Sequence, residues 1–330
     1  MERAVDIVTV GHAIVDVLAP SDDELVSGFG LTKGTMTLVD DARAEQIYAA
    51  LGAGTTASGG SAANTAVCLA SLGTATAFVG KVRDDHLGEV FTDDIRSAGV
   101  DYVVAPGNDG PGTGRCLIMV TPDAEKTMCT SLGIGDLLPP DDIDIDTVAA
   151  ARVVYVEGYL CGLDSTDATV ERIVSAAHEA GTLVSLSLSD PFWVQLHGDV
   201  LRSLLRRVDV LFANEDEACG LAGTDDVDEA VSKLSEQCAT VVVTRGAKGS
   251  MVATADGTVS VPAEAVSRVV DSTGAGDSFA AGFLHAMVRD ADPGTCARLG
   301  GLVAAEVVSH LGARPLVSLA DLAASAGLSL

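Results

Sequence analysis

The stretch VDSTGAGDSFAAGF, from Val270 to Phe283, holds the residues best suited to chemistry. Gly274, Ala275 and Gly276 form a turn after a strand-like VSRVVD. A helix is expected to begin near Asp277, with Phe279, Phe283, Leu284 and Met287 on its apolar side. Free N–H groups at a helix start, beside glycines that admit a ligand, suit an anion. A carboxylate in the same turn would repel that anion, unless it takes a proton from a hydroxyl that attacks it. The plainer reading is a glycine turn in which Asp277 complements the helix dipole.

Four other places offer polar groups beside a turn. In SGGSAANTA (Ser58–Ala66), Gly59 and Gly60 allow a ligand close to backbone, and Asn64 offers a donor and an acceptor, a combination suited to adjacent hydroxyls. The plain alternative is a helix capped by Ser58 or Ser61, with Asn64 on the surface. Asp16, in GHAIVD, follows the first strand at the end where open α/β sheets bind ligands; it suits vicinal hydroxyls or an ordinary turn. Asn214 and Glu217 in NEDE form a capping box and could also hold a hydrated Mg²⁺. Thr244-Arg245-Gly246-Ala247-Lys248-Gly249 joins two strands by a tight turn, where Thr244 and Arg245 could meet phosphate oxygens.

Two familiar nucleotide signatures fail. Gly80-Lys81 has Val82 after it and Ala75 at the place of the first glycine, so the G-x-x-x-x-G-K-[ST] loop is absent. GAGTTA at Gly52–Ala57 follows a helix-like segment rather than a strand.

The elements that must position these residues alternate. Strands are expected at Val5–Val10, Thr76–Val79, Val153–Glu157, Leu183–Leu188, Val208–Ala213 and Thr240–Thr244. Helices are expected at Ala42–Leu51, Ser61–Leu72, Leu87–Ser97, Thr166–Ala180 and Val227–Gln237. A strand pair at Gly249–Thr254 and Val259–Val261 precedes Ala-rich helices at Ser278–Val288 and Pro293–Ser309. Strands apolar on both faces, alternating with helices, predict a doubly wound, mostly parallel α/β sheet flanked by helices. Residues 16–40 and 100–132 break this rhythm with short extended runs punctuated by Gly, Pro and Asp, which predicts hairpins forming a small β-rich lid. Residues 1–15, 41–99 and 133–330 are then the core.

Composition narrows the function. With 20 Lys+Arg against 47 Asp+Glu in 330 residues, the formal charge is −27, which disfavours nucleic acid and anionic membrane but not a small anion held by amides. Hydrophobic residues at 48% allow a sizeable core. The seven cysteines lack a C-x-x-C pair and are expected to be buried thiols; the six histidines form no H-E-x-x-H motif. No apolar run reaches about 18 residues, and Met-Glu-Arg runs into VDIVTV without a signal-peptide core, so a cytoplasmic protein is expected.

Together, GGSAANTA, NEDE, TRGAKG and DSTGAGDSFAAGF resemble the ribokinase-like (PfkB) family of sugar and nucleoside kinases, in its order and spacing. The resemblance extends to bacterial adenosine-kinase-type members through GHAIVD, KGTMTLVD, GTGRCLIMVTPDAEKTM, FVGKVRDDHLGEVF and SLSDPF. It implies ATP-dependent phosphorylation of a primary hydroxyl, foremost on adenosine, alternatively on ribose, fructose or a related sugar. Asp277 would be the general base and Gly274, Ala275 and Gly276 the anion hole. Asp16, Gly59, Gly60 and Asn64 would hold the acceptor's hydroxyls, with Met36 and Thr37 facing its base. Asn214, Thr244, Gly246, Gly249 and Gly276 would serve ATP, and Glu217 the Mg²⁺ through water. Lys126 would reach from the lid toward phosphates. K⁺ is used by some members near the anion hole, and Asp271 and Gly312 lie in the segments concerned. A monomer or homodimer is expected, without nucleic-acid or membrane partners.

Overall fold

The computed structural model describes residues 5–52, 54–123, 125–328 and 330; residues 1–4, 53 and 329 of the expected core and residue 124 of the expected lid lie outside this set. Apolar β-branched runs form the larger of two sheets. Its strands are β1 (Ile7–Val10), β5 (Thr76–Val79), β6 (Asp101–Tyr102), β9 (Val153–Glu157), β10 (Leu183–Ser187), β11 (Val210–Asn214), β12 (Thr240–Thr244), β13 (Ser250–Thr254) and β14 (Gly257–Val261). The smaller sheet takes β2 (Ile14–Pro20), β3 (Met36–Leu38), β4 (Thr55–Gly59), β7 (Gly114–Val120) and β8 (Lys126–Ser131).

In the larger sheet the order is β14-β13-β12-β11-β10-β9-β1-β5-β6, parallel from β12 to β6, with β13 and β14 antiparallel. Both faces are covered, which explains why β1, β5 and β9 are buried at every position. The chain runs from β1 to one side and later returns through β9 on the other, so the order reverses between these neighbours. Ligands bind open α/β sheets outside the carboxyl ends of the strands at such a reversal. The expected α/β class is found.

The smaller sheet, in order β3-β8-β7-β2-β4, has one local hairpin, β7–β8; β2 pairs parallel with β7 and antiparallel with β4. Its extent differs from the expected division. Thr55–Gly59 belongs here rather than to the core, and the helix Asp41–Ala50 packs on β7 and β8. Asp101–Tyr102, expected in this part, instead closes the edge of the larger sheet beside β5. These pairings join segments from 24 to 100 residues apart, beyond the reach of local pattern.

Other elements also differ. VSRVVD forms no strand; the amide of Val270 donates instead to the Val308 carbonyl at the end of the helix Pro293–Val307. An unexpected helix, Pro191–Leu204, starts at Pro191 behind the cap Asp190, whose carboxylate accepts from the amides of Phe192 and Trp193. All seven cysteines are free and, apart from the partly exposed Cys219, buried. No helix among the described residues is long and apolar enough to cross a membrane.

Candidate active site

The helix Ala275–Met287 starts two residues earlier than the expected Asp277, behind Gly274. Gly274 has φ of +76°, and a Cβ there would come within 2.6 Å of the Ala313 Cβ and 2.9 Å of its carbonyl oxygen, so the turn admits only glycine. No side chain caps this helix; the Ala275 amide donates to the Ser272 carbonyl at 3.2 Å, and the amides that follow it are left for a ligand. A Cβ at Gly276 would meet nothing within 4 Å, so there is open space beside the turn. Asp277 sits in the first turn, its Oδ1 accepting from Ser61 Oγ at 2.6 Å and its Oδ2 from Asn64 Nδ2 at 3.1 Å. Burial pushes its carboxyl up to about 6, against the hydrogen bonds of Ser61 and Asn64 and with help from the charge of Glu157. A carboxylate tuned this way accepts a proton near neutrality more readily than an ordinary aspartate.

Ser61 and Asn64 are carried by the helix Ser61–Ser71, which neither Ser58 nor Ser61 caps. Gly60 is the cap position, with φ of +97° and no side-chain bond to the helix. The missing cap is supplied from the end of β9, where Glu157 Oε2 accepts from the Ala62 amide at 2.9 Å. Glu157 Oε1 accepts from the His12 amide and lies 2.7 Å from His12 Nδ1; His12 Nε2 lies 2.9 Å from Asp136 Oδ1. Burial works against charge on His12, but the bonds to Asp136 and Glu157 prevail and raise it to about 9. His12 is therefore an imidazolium at neutral pH, locking Glu157 onto the helix that holds Asp277. Sequence reading missed this cluster, whose members are 124 and 145 residues apart.

A stability consequence follows from His12. Its folded pKa, about 9, lies above the ordinary 6.5, so its contribution is fully present below pH 6.5 and is lost as pH rises through 9. At about 1.4 kcal/mol per pKa unit, the effect is of order 3 kcal/mol. Urea unfolding of the wild type is expected to show this loss between pH 6.5 and 9.5, and His12→Asn to lack it. An equal slope in both proteins would contradict the assignment.

Asp16 lies in β2 against β4, and the reason for Gly59 is visible: a Cβ there would come within 2.5 Å of Asp16 Oδ2. Burial raises Asp16 to about 6, opposed by Arg314 and Lys126. Asp16, Gly60, Asn64 and Asp277 line one cavity of about 520 Å³. Met36 lines it too, 46% exposed, with Leu38 beside it in β3; Phe192, 64% exposed, is a further apolar surface on this cavity. SLSDPF carried Phe192, but only its start as a helix, behind Asp190, exposes the ring to the cavity.

The same cavity reaches Asn214, Glu217 and Thr244. Asn214 and Glu217 form the full capping box: Glu217 accepts from the Asn214 amide at 2.8 Å and from Nδ2 at 2.6 Å, and Asn214 Oδ1 accepts from the Glu217 amide. Burial raises Glu217 to about 7, and Asp190, Asp216 and Asp277 add to the rise. Among the described residues no three His, Cys, Asp or Glu side chains are arranged to ligate a metal directly. This surplus of negative charge fits a cation held through water. Gly246 and Gly249 shape the turn between β12 and β13 and are outside the cavity lining; Arg245 pairs with Glu215 at 3.1 Å instead of facing the cavity.

Lys126 reaches across from β8 to Asp271, 2.5 Å away, and the Gly312 amide donates to the same Oδ2 at 2.9 Å. Burial would raise Asp271, but these partners and Thr273 hold it down at about 2. The small sheet is thus tied to the segment just before the turn at Gly274.

Residues 6–319 match the model of the pfkB family carbohydrate kinases. The chain is similar to the crystal structure of adenosine kinase from Sinorhizobium meliloti: 42% identity, 98% of this chain and 99% of that one covered, TM-score 0.90. It is 29% identical to adenosine kinase of Saccharomyces cerevisiae over 328 residues, 93% of this chain and 95% of that protein. It is also 31% identical to an ATP-dependent ribose-1-phosphate kinase of Halopiger xanaduensis over 234 residues, 71% of this chain and 74% of that protein.

Proposed function

The chain belongs to the pfkB family of carbohydrate kinases, phosphotransferases acting on hydroxyl groups, and from that premise we propose that it transfers the γ-phosphoryl group of ATP to the 5′-hydroxyl of adenosine. The observation that carries this reading is Asp277, held by Ser61 and Asn64 at an uncapped helix start, in a cavity that continues to Asn214 and Thr244. Asp277 takes the proton of the acceptor hydroxyl as that oxygen bonds to the γ-phosphorus. The bond from phosphorus to the bridging oxygen breaks, and ADP leaves. Amides at Gly274 and Gly276 receive charge on the transferred group, and that of Ala275 joins them by releasing its 3.2 Å bond to the Ser272 carbonyl. Mg²⁺, when bound, neutralises phosphate charge, and Asn214 and Glu217 are the residues that would hold it through water.

Asp16 and Asn64 suit ribose hydroxyls, and the exposed faces of Met36, Leu38 and Phe192 suit a flat apolar base. The small sheet, joined to the core by Lys126 and Asp271, serves as the lid that excludes water. The ribose-1-phosphate kinase relative supports a second reading, in which a free or phosphorylated sugar is the acceptor. Competition separates them: adenosine phosphorylation is expected to be insensitive to millimolar ribose or fructose. A sugar turned over in preference to adenosine would overturn the assignment of the base site.

The pH dependence of this reaction is fixed by Asp277. With its carboxyl at about 6, kcat/KM is expected to rise through pH 6 and to fall about tenfold per unit below it. A limb near the ordinary aspartate value of 3.8 would contradict a base raised by burial at this position.

A further inference from the structure

The turn after the helix Pro293–Val307 touches three parts of the site. The Gly312 amide bonds Asp271, Ala313 packs on Gly274, and Arg314 points toward Asn64. Arg314 Nε donates to Asn64 Oδ1 at 3.3 Å, and Nη1 lies 3.5 Å from Asp94 Oδ2. That Asp94 oxygen also accepts from the Ser58 amide at 2.9 Å and from Ser58 Oγ at 2.5 Å, immediately before Gly59 and Gly60. The Arg314 side chain is only 18% exposed, and its Nη2 is buried with no hydrogen-bond partner among the described residues.

An asparagine amide can face Asp277 either way round. Turned over, it would set Oδ1 against a carboxylate and lose its donor. We infer that Arg314 is a positioning residue for the phosphoryl transfer proposed above: its Nε holds the Asn64 amide with Nδ2 toward Asp277, while its link to Asp94 fixes the strand end at Gly59–Gly60 beside Asp16. Its charge also faces both acceptor-site carboxylates. The groups around Arg314 include Asp94, Asp16, Cys68 and Asp277, and those around Asp277 include Ser61, Asn64, Glu157 and Arg314, with Asp16, Glu217, Tyr155, Tyr159 and Cys68 also facing it. Arg314 opposes the rise of Asp16 and Asp277 alike.

This inference rests on the kinase reading, so wild-type turnover is measured first, on adenosine, inosine, guanosine, ribose and fructose. A wild type that phosphorylates none of them overturns that reading before any variant is compared. In an active enzyme, Arg314→Gln is expected to lower kcat/KM for the acceptor by about 10–100-fold, as a misplaced reacting group does. The KM for ATP should stay within about twofold, and the acid limb should move to higher pH. Arg314→Lys is expected to return the limb toward its wild-type position but not the full rate, because an ammonium cannot engage Asn64 and Asp94 as a fork does. A folded Arg314→Gln with wild-type rate and limb overturns the inference. So does a variant pair that loses ATP affinity and melting temperature together while the acid limb stays in place.

Discussion

Replacing Asp277 by asparagine is expected to lower kcat by about 10²–10⁴-fold, with the KM values for ATP and acceptor changed little. The substitution keeps the shape of the side chain and its place behind Ser61 and Asn64, so the fold should survive. What it removes is the capacity to take a proton. The amide also presents an N–H₂ donor where a carboxylate now accepts from Ser61 Oγ and Asn64 Nδ2, so one of these bonds must rearrange. The residual rate then measures positioning and anion stabilisation alone. A purified, folded variant with near-normal turnover would remove Asp277 from the base role.

Gly274→Ala is expected to cost nearly as much activity by another route. A left-handed conformation at φ of +76° costs an alanine about 1–2 kcal/mol, and its Cβ would press on the Cβ, Cα and carbonyl oxygen of Ala313. The turn must shift, carrying the amides of Ala275 and Gly276 away from the transferred phosphoryl. Loss of one such donor lowers kcat by about 10²–10³-fold. Gly276→Ala is the informative control. Its Cβ meets nothing within 4 Å, so the melting temperature should hold; the rate falls only if a ligand fills that space. Steady-state kinetics with parallel thermal melts decide the matter: Gly274→Ala at wild-type kcat would contradict an anion-binding turn.

Much of this was readable in the chain. The strands at Ile7–Val10, Thr76–Val79 and Val153–Glu157 were legible because a buried parallel sheet makes every position apolar. The helices Ser61–Ser71 and Ala275–Met287 were legible from glycine turns followed by small and apolar residues. In the site, Asp277, Asn64 and the residues of NEDE carried signals because each follows a strand or glycine turn closely, whereas Asp16, expected just beyond the first strand, lies inside β2.

The remainder depended on partners distant in sequence. The same β-propensity produced the erroneous strand at VSRVVD, whose Val270 amide finds Val308 instead of a ladder. Strand β4 escaped because Thr55–Gly59 gains its strand character only by pairing with Ile14–Leu18. His12, Asp136 and Glu157 carry no motif, since a cap delivered to Ala62 from 95 residues away leaves no local mark. Arg314 is likewise silent until the fold sets it 3.3 Å from Asn64, 250 residues earlier.

The central claim is tested most directly by identifying the product formed from adenosine and Mg-ATP by the wild-type protein. AMP and ADP are expected in equal amounts, with none formed when the 5′-hydroxyl is replaced by hydrogen. ADP appearing only with a free or phosphorylated sugar, and no AMP at any adenosine concentration, would contradict the nucleoside assignment while leaving the kinase family in place.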